Sequence, residues 1–278
     1  MLLSAPIRRL RQETSVSFID THCHFDFPPF SEDARQALGR ARLAGVSDII
    51  IPSVSADRID GIAELSQQYR GLWFAVGLHP LWINEHQPQD IDRLQQWLAQ
   101  PAQQLVAIGE TGLDLYTPSG VASSERQQSL LQQQLQLARR YDLPLILHSR
   151  RSHDLLASML RKASVPASGV IHGFSGSLQQ AQAFVRLGYF IGIGGTITYP
   201  RARKTRDTVA ALPLSSLVLE TDAPDMPLNG FQGQPNRPEQ VVQVCNALAE
   251  LRSEPFELIC QTLLANSLRL FPRLRLSV

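Results

Sequence analysis

Eight short apolar segments, each closing on polar residues or glycine and separated by helix-like stretches, predict an α/β protein built as a single (β/α)8 TIM-type barrel. Two more observations support that architecture. Most of the segments are apolar throughout, without a polar face, as strands buried on both sides of a parallel sheet are. The 278-residue length also suits one barrel, whose usual size is about 250 residues. The expected organisation is therefore one domain over 1–278, with 1–15 as an N-terminal extension.

The expected strands are Val16–His22, Asp48–Val54, Leu72–Leu78, Leu105–Gly109, Leu145–His148, Gly169–His172, Tyr189–Gly194 and Leu217–Glu220. Between the first two, Ser31-Glu32-Asp33 opens a helix with a capping residue and two acids, and Gly45 follows its end. Ser123 or Ser124, followed by Glu125, opens a glutamine-rich helix running to about Arg140, with Leu130, Leu131, Leu135 and Ala138 as its apolar stripe. Its Gln127–Gln136 stretch is as compatible with solvent as with a partner. Ser177 caps a helix that stops at Gly188, and Pro238–Leu251 and Pro255–Leu270 each start near a proline. The competing architecture, an open doubly wound sheet, usually carries GxGxxG after its first strand, where this chain has His22-Cys23-His24.

A formal net charge of +1 excludes a broad basic footprint for long nucleic acid, so such a substrate has to be gripped locally. Cys23, Cys245 and Cys260 are sparse and show no CxxC spacing, which fits a reducing compartment. The start, MLLSAPIRRLRQ, has too short an apolar run for a signal peptide, and no 18-residue apolar stretch exists. A cytoplasmic protein without a membrane partner is expected, and no obligate protein partner is evident.

The chemistry lies where the strands end. His22 and His24 close the first strand, Glu110 follows the fourth, His148 and His172 close the fifth and sixth, and Asp222 follows the eighth. Strand ends of a barrel meet on one face, the catalytic face. Alternate strand residues share a side, so His22 and His24 aim together while Cys23 points away as a small buried hydrophobe. Asp222 lies nearer the mouth than Glu220 and is the preferred ligand. An isolated histidine such as His86 or His153 reads as an ordinary hydrogen-bonded residue, but this many ionisable groups buried together are costly without a metal. A carbamylated-lysine site is disfavoured, because Lys162 and Lys204 are the only lysines and neither ends the fourth strand.

The motifs Asp20-Thr21-His22-Cys23-His24-Phe25-Asp26, Gly77-Leu78-His79-Pro80, Gly109-Glu110-Thr111-Gly112-Leu113-Asp114, His148-Ser149-Arg150, His172-Gly173-Phe174-Ser175-Gly176 and Glu220-Thr221-Asp222-Ala223-Pro224 occur in this order. Through them the chain resembles the TatD-related DNase family over nearly its whole length. The resemblance implies a TIM-type barrel, two divalent cations and hydrolysis of phosphodiester bonds, typically in DNA. It implies that His22 and His24 bind one metal with Asp222, and that Glu110 bridges to a second held by His148 and His172. Thr111, Leu115 and the Gly233–Pro238 stretch depart from the family pattern, which bears on substrate preference rather than on the metals.

The expected mechanism uses a water activated by two metals, with Asp222 as general base and Glu110 bridging. His79 is a candidate phosphate contact or proton donor. Arg150, two residues past His148, and Arg201 and Lys204, just after the seventh strand, are candidate substrate contacts. Phe25, Phe27 and Phe30 offer base stacking, with packing the better reading for two of them. Four imidazoles suit zinc, while the carboxylates also admit manganese or magnesium. The expected substrate is DNA, single-stranded or at strand ends. The alternatives are another ester or amide at the same site, such as an aminoacyl ester of tRNA or a small phosphoester, and a metal-stabilised scaffold.

Overall fold

A computed structural model describes residues 17–100 and 102–277. The N-terminal extension 1–15 and Val16, the expected start of the first strand, lie outside the described residues. Eight strands form one parallel sheet in sequence order: β1 (Phe18–Asp20), β2 (Val46–Pro52), β3 (Leu72–Val76), β4 (Leu105–Asp114), β5 (Leu145–Arg150), β6 (Gly169–Ile171), β7 (Phe190–Ile193) and β8 (Leu217–Leu219). The helices are α1 (Ala34–Leu43), α2 (Ile59–Gln68), α3 (Asp90–Leu98), α4 (Pro118–Ala122), α5 (Ser124–Tyr141), α6 (His153–Ala163), α7 (Leu178–Arg186), α8 (Arg203–Ala211), α9 (Val241–Ala249) and α10 (Phe256–Leu270). The seam between β8 and β1 is drawn together by Thr21 N–H donating to Leu219 O at 3.1 Å and Asp222 N–H donating to His22 O at 2.9 Å. The protein is a (β/α)8 barrel.

Two apolar layers hold it. One fills the barrel with residues from every strand, among them Ile19, Ile50, Trp73, Ile146, Phe190 and Val218, with Phe271 and Leu274 beside them. The other lies between the strands and the surrounding helices. The two-residue period then aims the chemistry. Ile146 and Val170 belong to the barrel filling, so His148 and His172, each two residues on, continue the same inward face.

The strand expectations hold in number and order, but some limits move. β1 stops at Asp20, and His22 and His24 lie on the segment beyond, where Cys23 forms an isolated parallel bridge to Ala223. Cys23 is fully buried in the outer layer, as the alternation predicts. β4 continues past Gly109 to Asp114, and its register with β5 shifts between Ile108 and Thr111. Such an irregularity re-aims a side chain, and here that residue is Glu110. Gly109 is needed beside it: a Cβ there would stand 2.6 Å from Ile146 Cβ and 2.7 Å from Ile146 O.

α1 begins later than expected, because the Asp33 carboxylate rather than Ser31 caps it by accepting from Gln36 N–H at 2.9 Å. Ser177 caps α7 through a reciprocal capping box with Gln180. Pro238–Gln240 forms a short 3-10 turn ahead of α9. The glutamine-rich run of α5 is not uniformly a surface. Gln127 and Gln134 are 1% and 0% exposed, and both bond to backbone of the catalytic-face loops.

Candidate metal centre

The segments following β1, β6 and β8, together with β4 and β5, bring His22, His24, Glu110, His148, His172 and Asp222 into one cluster, and His79 joins them from the end of β3. Glu110, 1% exposed, sits at its centre. Its Oε2 lies 3.3 Å from His22 Nε2 and 3.6 Å from His24 Nε2. Asp222 Oδ1 lies 3.4 and 3.6 Å from the same two nitrogens, which are 3.4 Å from each other. Donors around a tetrahedral ion at 2.0–2.1 Å stand about 3.3–3.4 Å apart. These five separations therefore outline a cage of metal-binding size. The other oxygen of Glu110, Oε1, lies 2.7 Å from His172 Nε2, 3.1 Å from His148 Nδ1 and 2.9 Å from His79 Nε2. One carboxylate thus faces two sets of donors. By spacing alone, and among the described residues, three trios of donors could share an ion: His22/His24/Glu110, His22/His172/Asp222 and His79/Glu110/His148.

For His148 and His79, the hydrogen bond on the far side of the ring decides which nitrogen is free. His148 Nε2 lies 2.9 Å from Asp114 Oδ2; its proton belongs there, which leaves the Nδ1 lone pair aimed inward. His172 turns Nδ1 toward Glu220, 3.9 Å away, and Nε2 inward. His79 is the reverse case. Its Nδ1 accepts from Leu81 N–H at 3.1 Å, so in the neutral ring Nε2 carries the proton and donates to Glu110 Oε1 at 2.9 Å. That tautomer makes His79 a hydrogen-bond donor and not a metal ligand.

Burial alone would raise the Glu110 carboxyl, but His172, His79 and His22 around it hold it well below the usual carboxylate range. Burial would lower His172, yet Glu110 beside it prevails and pushes its pKa up to about 10. Burial, reinforced by His172, keeps His22 well below its ordinary value. Asp222 is raised, by burial first. The Nδ1 atoms of His22, His24 and His172 are buried without a hydrogen-bond partner among the described residues. So dense a set of coupled donors fits divalent cations better than it fits a metal-free core.

Two further buried carboxylates support the centre from behind: Asp20, which the strand-end reading did not assign, and Glu220, which it set behind Asp222. Asp20 accepts from Thr221 N–H at 2.9 Å, Thr221 Oγ1–H at 2.6 Å and His22 N–H at 3.3 Å, locking the segment after β1 to that after β8. Burial pushes its pKa up to about 8. Glu220 accepts from Gly173 N–H, and burial raises it to about 7. It serves the segment bearing His172, while Asp222, with φ 58° and a side chain 21% exposed, reaches the mouth. Asp114 was also unassigned from sequence, although its spacing of four from Glu110 along an extended segment was the available signal.

The candidate substrate contacts are dispersed. Arg150 is exposed and lies 3.6 Å over the Tyr116 ring. Arg201 is exposed and stands 5.2 Å from the Tyr199 ring. Lys204 is exposed in the first turn of α8 and lines a pocket with Arg150. Arg206 Nη1 donates to Ile197 O at 2.5 Å and so belongs to the loop's own structure. Phe25 and Phe30 are buried and stacked at 5.2 Å. Phe27 is half-buried, edge-on to His24 at 5.8 Å with Arg58 3.8 Å over its ring.

Comparison with known proteins places the chain in a family. The family model "TatD related DNase" matches residues 19–272. The chain is 58% identical over 254 residues to the uncharacterized metal-dependent hydrolase YjjV of Escherichia coli K12, covering 91% of this chain and 97% of that one. It is 42% identical over 259 residues to an uncharacterized metal-dependent hydrolase of Haemophilus influenzae, covering 91% and 99%. The crystal structure of YjjV, a TatD homolog, superposes with a TM-score of 0.90 over 92% of this chain and 98% of that one. A TatD family hydrolase from Entamoeba histolytica, 21% identical with a TM-score of 0.80 over 92% and 98%, shares the fold. The chain belongs to the TatD-related DNase family and is a metal-dependent hydrolase.

Proposed function

We propose that the protein is a phosphodiesterase acting on DNA, on single strands or strand ends, with two divalent cations held at one carboxylate. The observation that carries this reading is the division of Glu110, whose two oxygens face separate donor sets. His22 Nε2, His24 Nε2, Asp222 Oδ1 and Glu110 Oε2 would hold one ion, and Glu110 Oε1, His148 Nδ1 and His172 Nε2 the other. Imidazole and carboxylate together suit zinc, manganese or another first-row ion. Bound there, the cations supply Lewis acidity toward the phosphoryl oxygens and acidify water.

The protein's own groups handle the rest. Asp222, at the mouth with its carboxyl raised by burial, takes the proton of the attacking water. His79 stays neutral, since burial pulls its pKa down and Leu81 N–H occupies Nδ1. Its Nε2–H steadies Glu110 and, with Oε1 given over to an ion, would be free to donate to a phosphoryl oxygen, so His79 works as a hydrogen-bond donor and not as an acid. Arg150, whose guanidinium lies over the Tyr116 ring, would meet substrate charge, and Lys204 and Arg201 add exposed cations after β7.

The metal-loaded protein is expected to shorten end-labelled single-stranded DNA, and a chelator is expected to abolish the reaction. Intact DNA alongside cleavage of an aminoacyl ester would overturn the phosphodiesterase reading. Asp222→Asn is expected to lower kcat by at least about a hundredfold. Undiminished turnover would remove its role as base.

A further inference from the structure

Beside the metal centre lies a cavity of 610 Å³ whose walls include Tyr116, Arg150, Arg151, His153, Gln180 and Lys204. Arg150 follows His148 by two residues on β5, an outward step of about 7 Å along the strand. Tyr116 likewise follows Asp114 by two and donates its N–H to that carboxylate at 3.0 Å. The cavity is therefore the next compartment along the catalytic face.

Its chemistry is that of an anion site. α6 starts there, and its N-cap residue Ser152 makes no side-chain cap bond among the described residues; the hydroxyl is turned to Leu113 O, to which it donates at 2.8 Å. Open N–H groups and the helix dipole favour negative charge. His153, the first residue of α6, is only 8% exposed, and its Nε2 is buried without a hydrogen-bond partner among the described residues. Burial holds its pKa at about 4, so the ring is neutral at pH 7. Gly176 keeps room next to it: a Cβ there would meet the Phe174 ring at 2.6 Å, and His153 Cδ2 and Gln180 Oε1 at 2.9 Å. Arg150 and Arg151 lie 3.6 and 4.9 Å from the Tyr116 ring, and Lys204 stands close enough to His153 to act on its titration. The lining carboxylate, Asp154, is engaged by the Gln180 amide at 3.2 Å to each oxygen.

We propose that this cavity binds a second phosphate of the substrate strand, adjacent to the one at the metals. The proposal rests on the phosphodiesterase reading and extends it: the enzyme prefers a strand carrying at least two consecutive phosphates. Three cations, an uncapped helix start and an unpartnered imidazole match the many acceptor oxygens of a phosphate.

The test compares a thymidine trinucleotide, with two phosphates, against the dinucleotide, with one, on the metal-loaded full chain. Wild-type protein is expected to favour the trinucleotide by about tenfold in kcat/KM, the value of one charge-assisted contact. In the double variant Arg151→Gln/Lys204→Gln that preference is expected to fall to near parity. Both positions are exposed, and a general folding defect would depress both substrates and leave their ratio intact. A retained preference in the variant, or none in the wild type, overturns the proposal. If wild-type protein hydrolyses neither oligonucleotide, the phosphodiesterase reading fails on its own. The cavity is then judged by calorimetric affinities: a trinucleotide preference erased in the variant supports it, and equal affinities overturn it.

Discussion

His148 can offer Nδ1 to an ion only while Asp114 holds the proton on Nε2, 2.9 Å away. Asp114→Asn replaces an acceptor with a side chain that can also donate, so the ring loses its fixed tautomer. Loss of such an outer partner typically costs 10- to 100-fold in metal affinity, and competition with a chromophoric chelator would measure it. Unchanged affinity would show that His148 needs no orienting. His153 gives a residue-scale prediction of another kind. Its pKa of about 4 lies below the ordinary 6.5, so the folded state resists its protonation. The stability contributed by the neutral ring is present above pH 6.5 and is lost as pH falls toward 4. Between pH 7 and pH 5 the loss is about 2 kcal/mol. His153→Phe should therefore melt with a smaller acid-side drop in Tm than wild type. Parallel pH profiles of the two proteins would refute this.

At the scale of elements, α5 does more than cover the sheet. Leu131, Leu135 and Ala138 pack inward, while Gln134 accepts from Leu78 N–H at 2.9 Å and donates to Leu78 O at 3.2 Å. Gln127 does the same for Asp114, accepting from its N–H at 2.8 Å and donating to its O at 3.0 Å. These two side chains supply hydrogen bonds to backbone just where His79 and Asp114 are presented. Gln134→Leu leaves both Leu78 groups buried and unpaired, which should cost about 2 kcal/mol, or roughly 5 °C in Tm. An unaltered Tm would mean that water replaces the amide. The apolar stripe of α5 was legible because helical period marks it, whereas buried glutamines are indistinguishable in sequence from the exposed ones beside them. The extension of β4 escaped for a related reason: Thr111, Gly112 and Asp114 look like a polar loop, and only pairing with β5 makes them strand. The six candidate ligands were legible because each sits at or just past an apolar run of fixed direction. The cavity beside them was not, since His153, Gly176 and Lys204 come from separate elements without a shared pattern.

At the scale of the whole molecule, the centre ties together parts of the chain that only the closed barrel assembles. His22 and Asp222 are on opposite sides of the β1–β8 seam, and Glu110, His148 and His172 come from the strands between. An unfolded chain has no such constellation, so ions bound there stabilise the folded state by about 4 kcal/mol at a thousandfold excess over Kd. The same cluster implies a proton exchange. His172, pushed up to about 10 by Glu110, keeps a proton at pH 7, and an ion at its Nε2 has to displace it. Metal binding should therefore release protons, and its apparent affinity should rise with pH through the neutral range. Three readouts check this: elemental analysis giving two ions per chain, a higher Tm with metal than with chelator, and calorimetric heats that vary with buffer ionisation enthalpy. One ion per chain would leave half of the Glu110 donors unused and overturn the bridging arrangement. Heats independent of buffer would show that His172 is already neutral before the metal arrives.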